Sequence, residues 1–257
     1  MKYCFGTVCW GGYLERYVDI FINNYITIYR RLISLGINDE DIMEPKIVYV
    51  NTDDTPGPMT ENATVKLQKA TGKKLILICD KHKYTSDTIM YSTRNKLRLE
   101  FKKSHPNEKK VFLYFPIDDS VRPEIVTELI KLSNATEPTA CMFKFFVKEG
   151  NIRYSAGTRP ITSYKDIHPG DWGGYCAYNI INENTCPLYP KISIPNIAFY
   201  AELFRAGYTQ YQSKEVCIDH LRHNDSHHFR TKDSTMTKKV KEYLLSQRKD
   251  LYEKGFK

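Results

Sequence analysis

Long apolar runs are missing from this 257-residue sequence. None approaches the roughly 20 residues that a bilayer-spanning helix needs, so no transmembrane helix is expected. The opening segment, Met1 to Trp10, lacks the apolar stretch and small-residue cleavage site of a signal peptide and reads as a first strand. Paired cysteines are missing too. The seven cysteines, at 4, 9, 79, 141, 176, 186 and 217, form no Cys-x-x-Cys and are odd in number, which predicts reduced thiols in a soluble cytoplasmic protein. No internal repeat and no long linker interrupts the chain. Charge of one sign is scarce except in one segment. Of a formal net charge of +8, residues 230–257 supply +5, from nine Lys/Arg against four Asp/Glu, so only +3 is left for the rest. A nucleic-acid partner is therefore not expected for the body of the protein.

What is present is a sizeable core. Hydrophobic residues make up 41% of the chain and aromatics 13%, which excludes a disordered polypeptide. Strand-like runs at 3–9, 46–50, 74–79 and 110–115 alternate with helical spacing at 14–32, 62–70, 86–103 and 123–133. Near-continuous apolar strands separated by helices predict an α/β fold, with a mostly parallel sheet covered on both faces. Beyond residue 135 the alternation lapses. A hairpin over 139–155, a Gly/Trp-rich loop at 168–175, a helix at 195–206, a strand at 215–219, a His-rich loop and a basic C-terminal helix follow. In that last helix Val240, Tyr243, Leu244, Gln247 and Leu251 share one face. This predicts a helix packed on the domain, the alternative being a peripheral contact with an anionic membrane.

Open α/β sheets bind ligands at the carboxyl ends of their parallel strands. Two acidic pairs lie at such ends, Asp53-Asp54 after the second strand and Asp118-Asp119 after the fourth. The second pair suits an Mg²⁺ or Mn²⁺ ion that carries a diphosphate, although Asp-Asp also serves as a turn or helix cap.

Four segments together resemble the GT-A-fold nucleotide-sugar glycosyltransferases, in particular the family 2 group, over roughly residues 3–223. Pro45 to Thr55 is similar to the strand and loop that hold uridine. Tyr91-Ser92-Thr93-Arg94-Asn95 is similar to the helix beside the nucleotide, and Val111 to Ser120 to the strand that ends in the DxD or xDD metal motif. Leu203 to Tyr208, continuing to Val216 to His220, is similar to the family's C-terminal segment. The resemblance implies a GT-A (Rossmann-like) domain over 1–257. It divides into a nucleotide-sugar half at 1–135, a less regular acceptor half at 136–229 and a basic helix at 230–257.

It also implies roles. Asn51 and Asp53 would hold the uridine and ribose, and Arg94 would lie near the diphosphate or donor sugar. Asp118 and Asp119 would face the ribose and the metal, with Asp119 the preferred ligand, and His220 would complete the metal or diphosphate site. The implied partners are a UDP-sugar donor and a glycan or glycoprotein acceptor, and the implied cofactor is Mn²⁺ or Mg²⁺. Two departures matter. Pro116 stands where a complete DxD has its first Asp. Asn196 stands where the family's Glu-Asp pair has its catalytic base, and an amide cannot accept a proton. Either another group is the base, with inversion slightly preferred, or the reaction retains configuration. Asp171, in the loop whose Trp172, Gly173, Gly174 and Tyr175 would meet the acceptor, is the first candidate base, and Glu202 the second. Other readings are a sugar nucleotidyltransferase, for which Gly11-Gly12 without a nearby Lys is a poor phosphate loop, and a non-catalytic glycan- or nucleic-acid-binding module. The histidines at 220, 223, 227 and 228 match no familiar zinc spacing.

Overall fold

The computed structural model describes residues 1–10, 12–50, 56–82, 89–149, 152–168, 175–192, 195–222 and 234–255. The first half alternates as its periodicity predicts. Strand β1 (Lys2–Trp10) leads to α1 (Tyr13–Ser34), β2 (Lys46–Val50) to α2 (Pro58–Thr71), β3 (Ile76–Asp80) to α3 (Ile89–Ser104), and β4 (Lys110–Tyr114), through β5 (Ser120–Val121), to α4 (Ile125–Asn134). The second half comprises β6 (Thr139–Glu149), β7 (Ile152–Gly157), β8 (Cys176–Ile180), α5 (Pro195–Arg205), β9 (Thr209–Arg222) and α6 (Ser234–Glu253). All the strands join one sheet in the order β3-β2-β1-β4-β8-β6-β9-β5, with β7 paired to β6. β1 to β4 are parallel. β8 enters antiparallel between β4 and β6, and β6 and β9 are again parallel. The fold is therefore α/β with a mixed, mostly parallel sheet, as expected.

Side chains alternate along each strand between two cores. Tyr3, Phe5, Ile47, Tyr49, Val111 and Leu113 join α1, α2 and α4 on one face, while Cys4, Val8, Val48, Val50 and Phe112 join α3, α5 and α6 on the other. Gly6 lets α3 approach closely, because a Cβ there would come within 2.8 Å of Leu97. Gly72 ends α2 with a left-handed residue, φ 73°, that a side chain would strain. Helix α6 seats Leu244 and Leu251 in the second core, and Arg205 of α5 pairs with its Asp250 at 2.8 Å. The docked face carries Tyr243, Leu244, Gln247 and Leu251 of the stripe read from the sequence.

The differences from the expected elements are local. β8 is missed because Cys176-Ala177-Tyr178-Asn179-Ile180 is short and follows a Gly-rich stretch. β9 runs from 209 rather than 215, since its polar residues Gln210, Gln212 and Ser213 hide the alternation. The two residues of β5 give no periodic signal at all. Among the described residues, no helix is long and apolar enough to cross a membrane.

Candidate active site at the carboxyl ends of the strands

β5 and β9 pair antiparallel, Ser120 with Asp219 and Val121 with Ile218. That register sets the preceding Asp119 across from the following His220. Asp119 Oδ1 lies 2.8 Å from His220 Nδ1, and the Tyr175 hydroxyl lies 2.8 Å from the same nitrogen. The surroundings fix this arrangement. Arg122 donates to both carboxylate oxygens of Asp219 at 2.8 and 2.9 Å, locking β5 to β9. From α1, Asn24 donates to the Asp119 carbonyl at 2.6 Å and accepts from the Val121 amide at 3.0 Å. Tyr175 packs edge-on against Phe145, and its amide donates to the Thr158 hydroxyl at 2.9 Å.

Asp119 is fully buried, and among the described residues its Oδ2 has no hydrogen-bond partner. Burial pushes its carboxyl above the ordinary range, with the His220 hydrogen bond and charge acting in the opposite sense. The Tyr175 phenol is pushed far higher, by burial first and by Asp119 next. An ionised Asp119 can only accept, so the proton of this contact sits on His220 Nδ1.

A cation fits these donors. An orphaned buried carboxylate oxygen is costly, and an imidazole oriented through Nδ1 by a carboxylate is a common arrangement for a metal-binding His. Among the described residues no three His, Cys, Asp or Glu side chains form a ready cage. Mg²⁺-type ions are nevertheless often held by one or two carboxylates, with substrate phosphate and water completing the shell.

On the α3 side of the sheet lies a second buried charge. Arg94 is 4% exposed, donates through Nη1 to Asn196 Oδ1, and reaches the Tyr114 hydroxyl at 3.4 Å through Nη2. Its guanidinium carbon lies 4.3 Å from the Tyr114 ring centroid and 5.3 Å from that of Tyr189, and Nε has no partner among the described residues. The side-chain amide of the next residue, Asn95, donates to the Tyr189 carbonyl at 2.9 Å and accepts from the Tyr189 amide at 2.7 Å, and Tyr189 stacks on Phe199 of α5. Tyr114 ends β4 four residues before Asp118.

Of the residues singled out from the sequence, the structure brings together Asp119, His220 and Tyr175, with Asp118 beside them in the chain, and it joins Arg94 to Asn196. Tyr175, expected to face an acceptor, directs its hydroxyl at His220. Glu202 is taken up elsewhere, accepting a hydrogen bond from Tyr243 of α6. Asn51, Asp53, Asp171, Trp172, Gly173, Gly174, His223, His227 and His228 lie outside the described residues. Sequence reasoning missed Asn24, Tyr114 and Tyr189. The first is buried in an otherwise apolar helix stripe, which is a readable signal; the tyrosines read as ordinary core.

No protein-family model matches the sequence, and no curated protein matches it significantly. Solved structures do match in shape. Residues 1–349 of TarS from S. aureus align over 99% of this chain and 74% of their own length, with a TM-score of 0.55 at 12% identity. The same TarS fragment in complex with UDP-GlcNAc aligns over 96% and 66%, with a TM-score of 0.60 at 12% identity. Glucosyl-3-phosphoglycerate synthase from Mycobacterium tuberculosis, in complex with Mn²⁺, UDP and phosphoglyceric acid, aligns over 95% and 78% with a TM-score of 0.49 at 13% identity. The architecture shared with TarS over nearly the whole chain is the GT-A fold of family-2-like glycosyltransferases.

Proposed function

We propose that the protein is a metal-dependent glycosyltransferase that moves a sugar from a UDP-sugar to a hydroxyl of a glycan or glycoprotein. The observation that carries this reading is Asp119, a buried carboxylate with one oxygen on His220 and the other unpartnered among the described residues, at the carboxyl end of a parallel GT-A sheet. Asp119 and His220 would hold Mn²⁺ or Mg²⁺, with Asp118 nearer the ribose. When bound, the ion supplies charge neutralisation for the departing diphosphate. Tyr175 and Asp119 fix the His220 ring, so that little reorganisation is left for substrate binding. Asn51 and Asp53 are assigned to the uridine and ribose, and Trp172, Gly173 and Gly174 to the acceptor side.

The acceptor proton needs a base other than Asn196, and that role is assigned to Asp171. Glu202, engaged by Tyr243, is the weaker candidate. If Asp171→Asn keeps its turnover, either Glu202 is the base or the reaction retains configuration and needs none there. The test of the overall reading is incubation with a panel of UDP- and GDP-sugars and Mn²⁺, scored for slow donor hydrolysis. UDP release that disappears on chelation is the expected result. Pyrophosphate formation, or inertness toward every donor, would overturn it.

A further inference from the structure

Arg94 is a buried cation whose fork is largely unfilled. A guanidinium carries five N–H groups, and among the described residues two find acceptors, one of them at 3.4 Å. Among the described residues no carboxylate pairs with it, and its closest acceptor, Asn196, is neutral. Arg98, one turn along α3 and equally buried, shows what a structural arginine looks like in this core. It donates to the Pro187 and Cys186 carbonyls and meets the Glu183 carboxylate at 3.5 Å. An aspartate at position 196 would have neutralised Arg94 in the same way, so the asparagine leaves its full charge to a ligand.

Resting on the glycosyltransferase reading, we infer that Arg94 receives a carboxylate carried by the donor sugar, so that the donor is a UDP-hexuronate. Carboxylate geometry matches the guanidinium fork, which can bind it through two parallel hydrogen bonds. The position favours the sugar over the diphosphate for two reasons. Asp119 and His220 already provide for the diphosphate through a cation. Arg94 sits on α3 and is held by Asn196 of α5, whereas Asp119 and His220 are joined through β5 and β9. The flanking Tyr114 and Tyr189 rings exclude water and strengthen the pair.

Calorimetric titration of the full chain in Mn²⁺ with UDP, UDP-glucose and UDP-glucuronate tests this. UDP-glucuronate is expected to bind at least about tenfold tighter than UDP-glucose. Asn196→Asp, which supplies an internal counter-ion and leaves no unpaired charge, should bring that ratio to about one and leave UDP itself unaffected. Arg94→Gln should do the same. Equal binding of the two UDP-sugars by the unaltered protein overturns the inference while leaving the glycosyltransferase reading in place. So does an Arg94→Gln or Asn196→Asp variant that weakens UDP as much as UDP-glucuronate. Failure of all three ligands to bind removes both.

Discussion

The two ends of the sheet bury similar charges and finish them differently. At the amino end, the Lys46 ammonium donates to the Glu100 carbonyl at 2.9 Å and the Ser104 hydroxyl at 2.7 Å, over the Phe101 ring. Lys110 donates to Glu183 and to the Glu108 carbonyl, each at 2.8 Å, and Arg98 shares Glu183 with it. At the carboxyl end, Asp119 keeps an orphaned oxygen and Arg94 has no carboxylate among the described residues. An unpartnered Nε does not separate the ends, since Arg98 has one too. What separates them is whether protein groups balance the charge. Burial of a charge marks a candidate site only where the fold leaves it incomplete.

The largest effect is expected from breaking the closed end. Glu183→Ala leaves Lys110 and Arg98 buried without their shared carboxylate, and should cost about 3–5 kcal/mol in urea unfolding. The folded fraction should still bind UDP-sugars as before. A cost below about 1 kcal/mol would mean that the amino end is no more closed than the other.

The opposite outcome is expected at the open end. Asp119→Asn should lower Mn²⁺-dependent UDP-sugar turnover by roughly 10²–10³-fold, yet raise the melting temperature at pH 7. The sign follows from burial, which lifts the folded-state pKa above the ordinary 3.8. The charge therefore costs folding free energy once the pH exceeds that of the unfolded group, and the cost grows up to the folded value. The thermal gain of the variant should vanish below about pH 4, where both states are protonated. A variant less stable at pH 7 would show that the His220 pair outweighs desolvation.

Tyr175→Phe is a milder test of the same end. It removes the hydroxyl at His220 Nδ1 and keeps the ring on Phe145. Loss of about 1 kcal/mol of orientation should weaken Mn²⁺ about fivefold in a titration, with the fold intact. Unchanged Mn²⁺ affinity would show that Asp119 and Asn24 suffice to hold the cluster.

These two ends were not equally legible in the sequence. Asp118-Asp119 could be read because a buried strand running into two carboxylates is a local pattern, and Arg94 lies within a recognisable helical segment. His220 opposite Asp119 depends on the register of a two-residue strand, which no periodicity reports. The Arg94–Asn196 contact spans 102 residues, and only packing of α3 against α5 creates it. The closed end left no readable trace. Lys110 and Arg98 resemble surface residues, and Glu183 falls in a polar turn after β8. Local chemistry is visible in one segment, whereas neutralisation is a property of several.

The smallest effect tests whether the open end owes its order to neighbouring helices. From α1, Glu15 accepts hydrogen bonds from the Gly57 amide at 2.8 Å, the Met59 amide at 3.0 Å and the Thr60 amide at 3.3 Å, and from the Thr60 hydroxyl. It thus caps α2, which has no side-chain cap from its own N-cap residue, Gly57. Burial alone would raise the Glu15 carboxyl, but the Thr60 hydroxyl and the three amides outweigh it and hold the group below its ordinary 4.5. A depressed folded-state value contributes stability above the unfolded pKa and loses it as the pH falls through the folded one. Glu15→Gln should therefore cost about 0.5–1 kcal/mol at pH 7, with the gap to the unaltered protein closing below about pH 4.5. A gap that persists at pH 3 would mean that Glu15 acts through packing and not through its charge on the helix terminus.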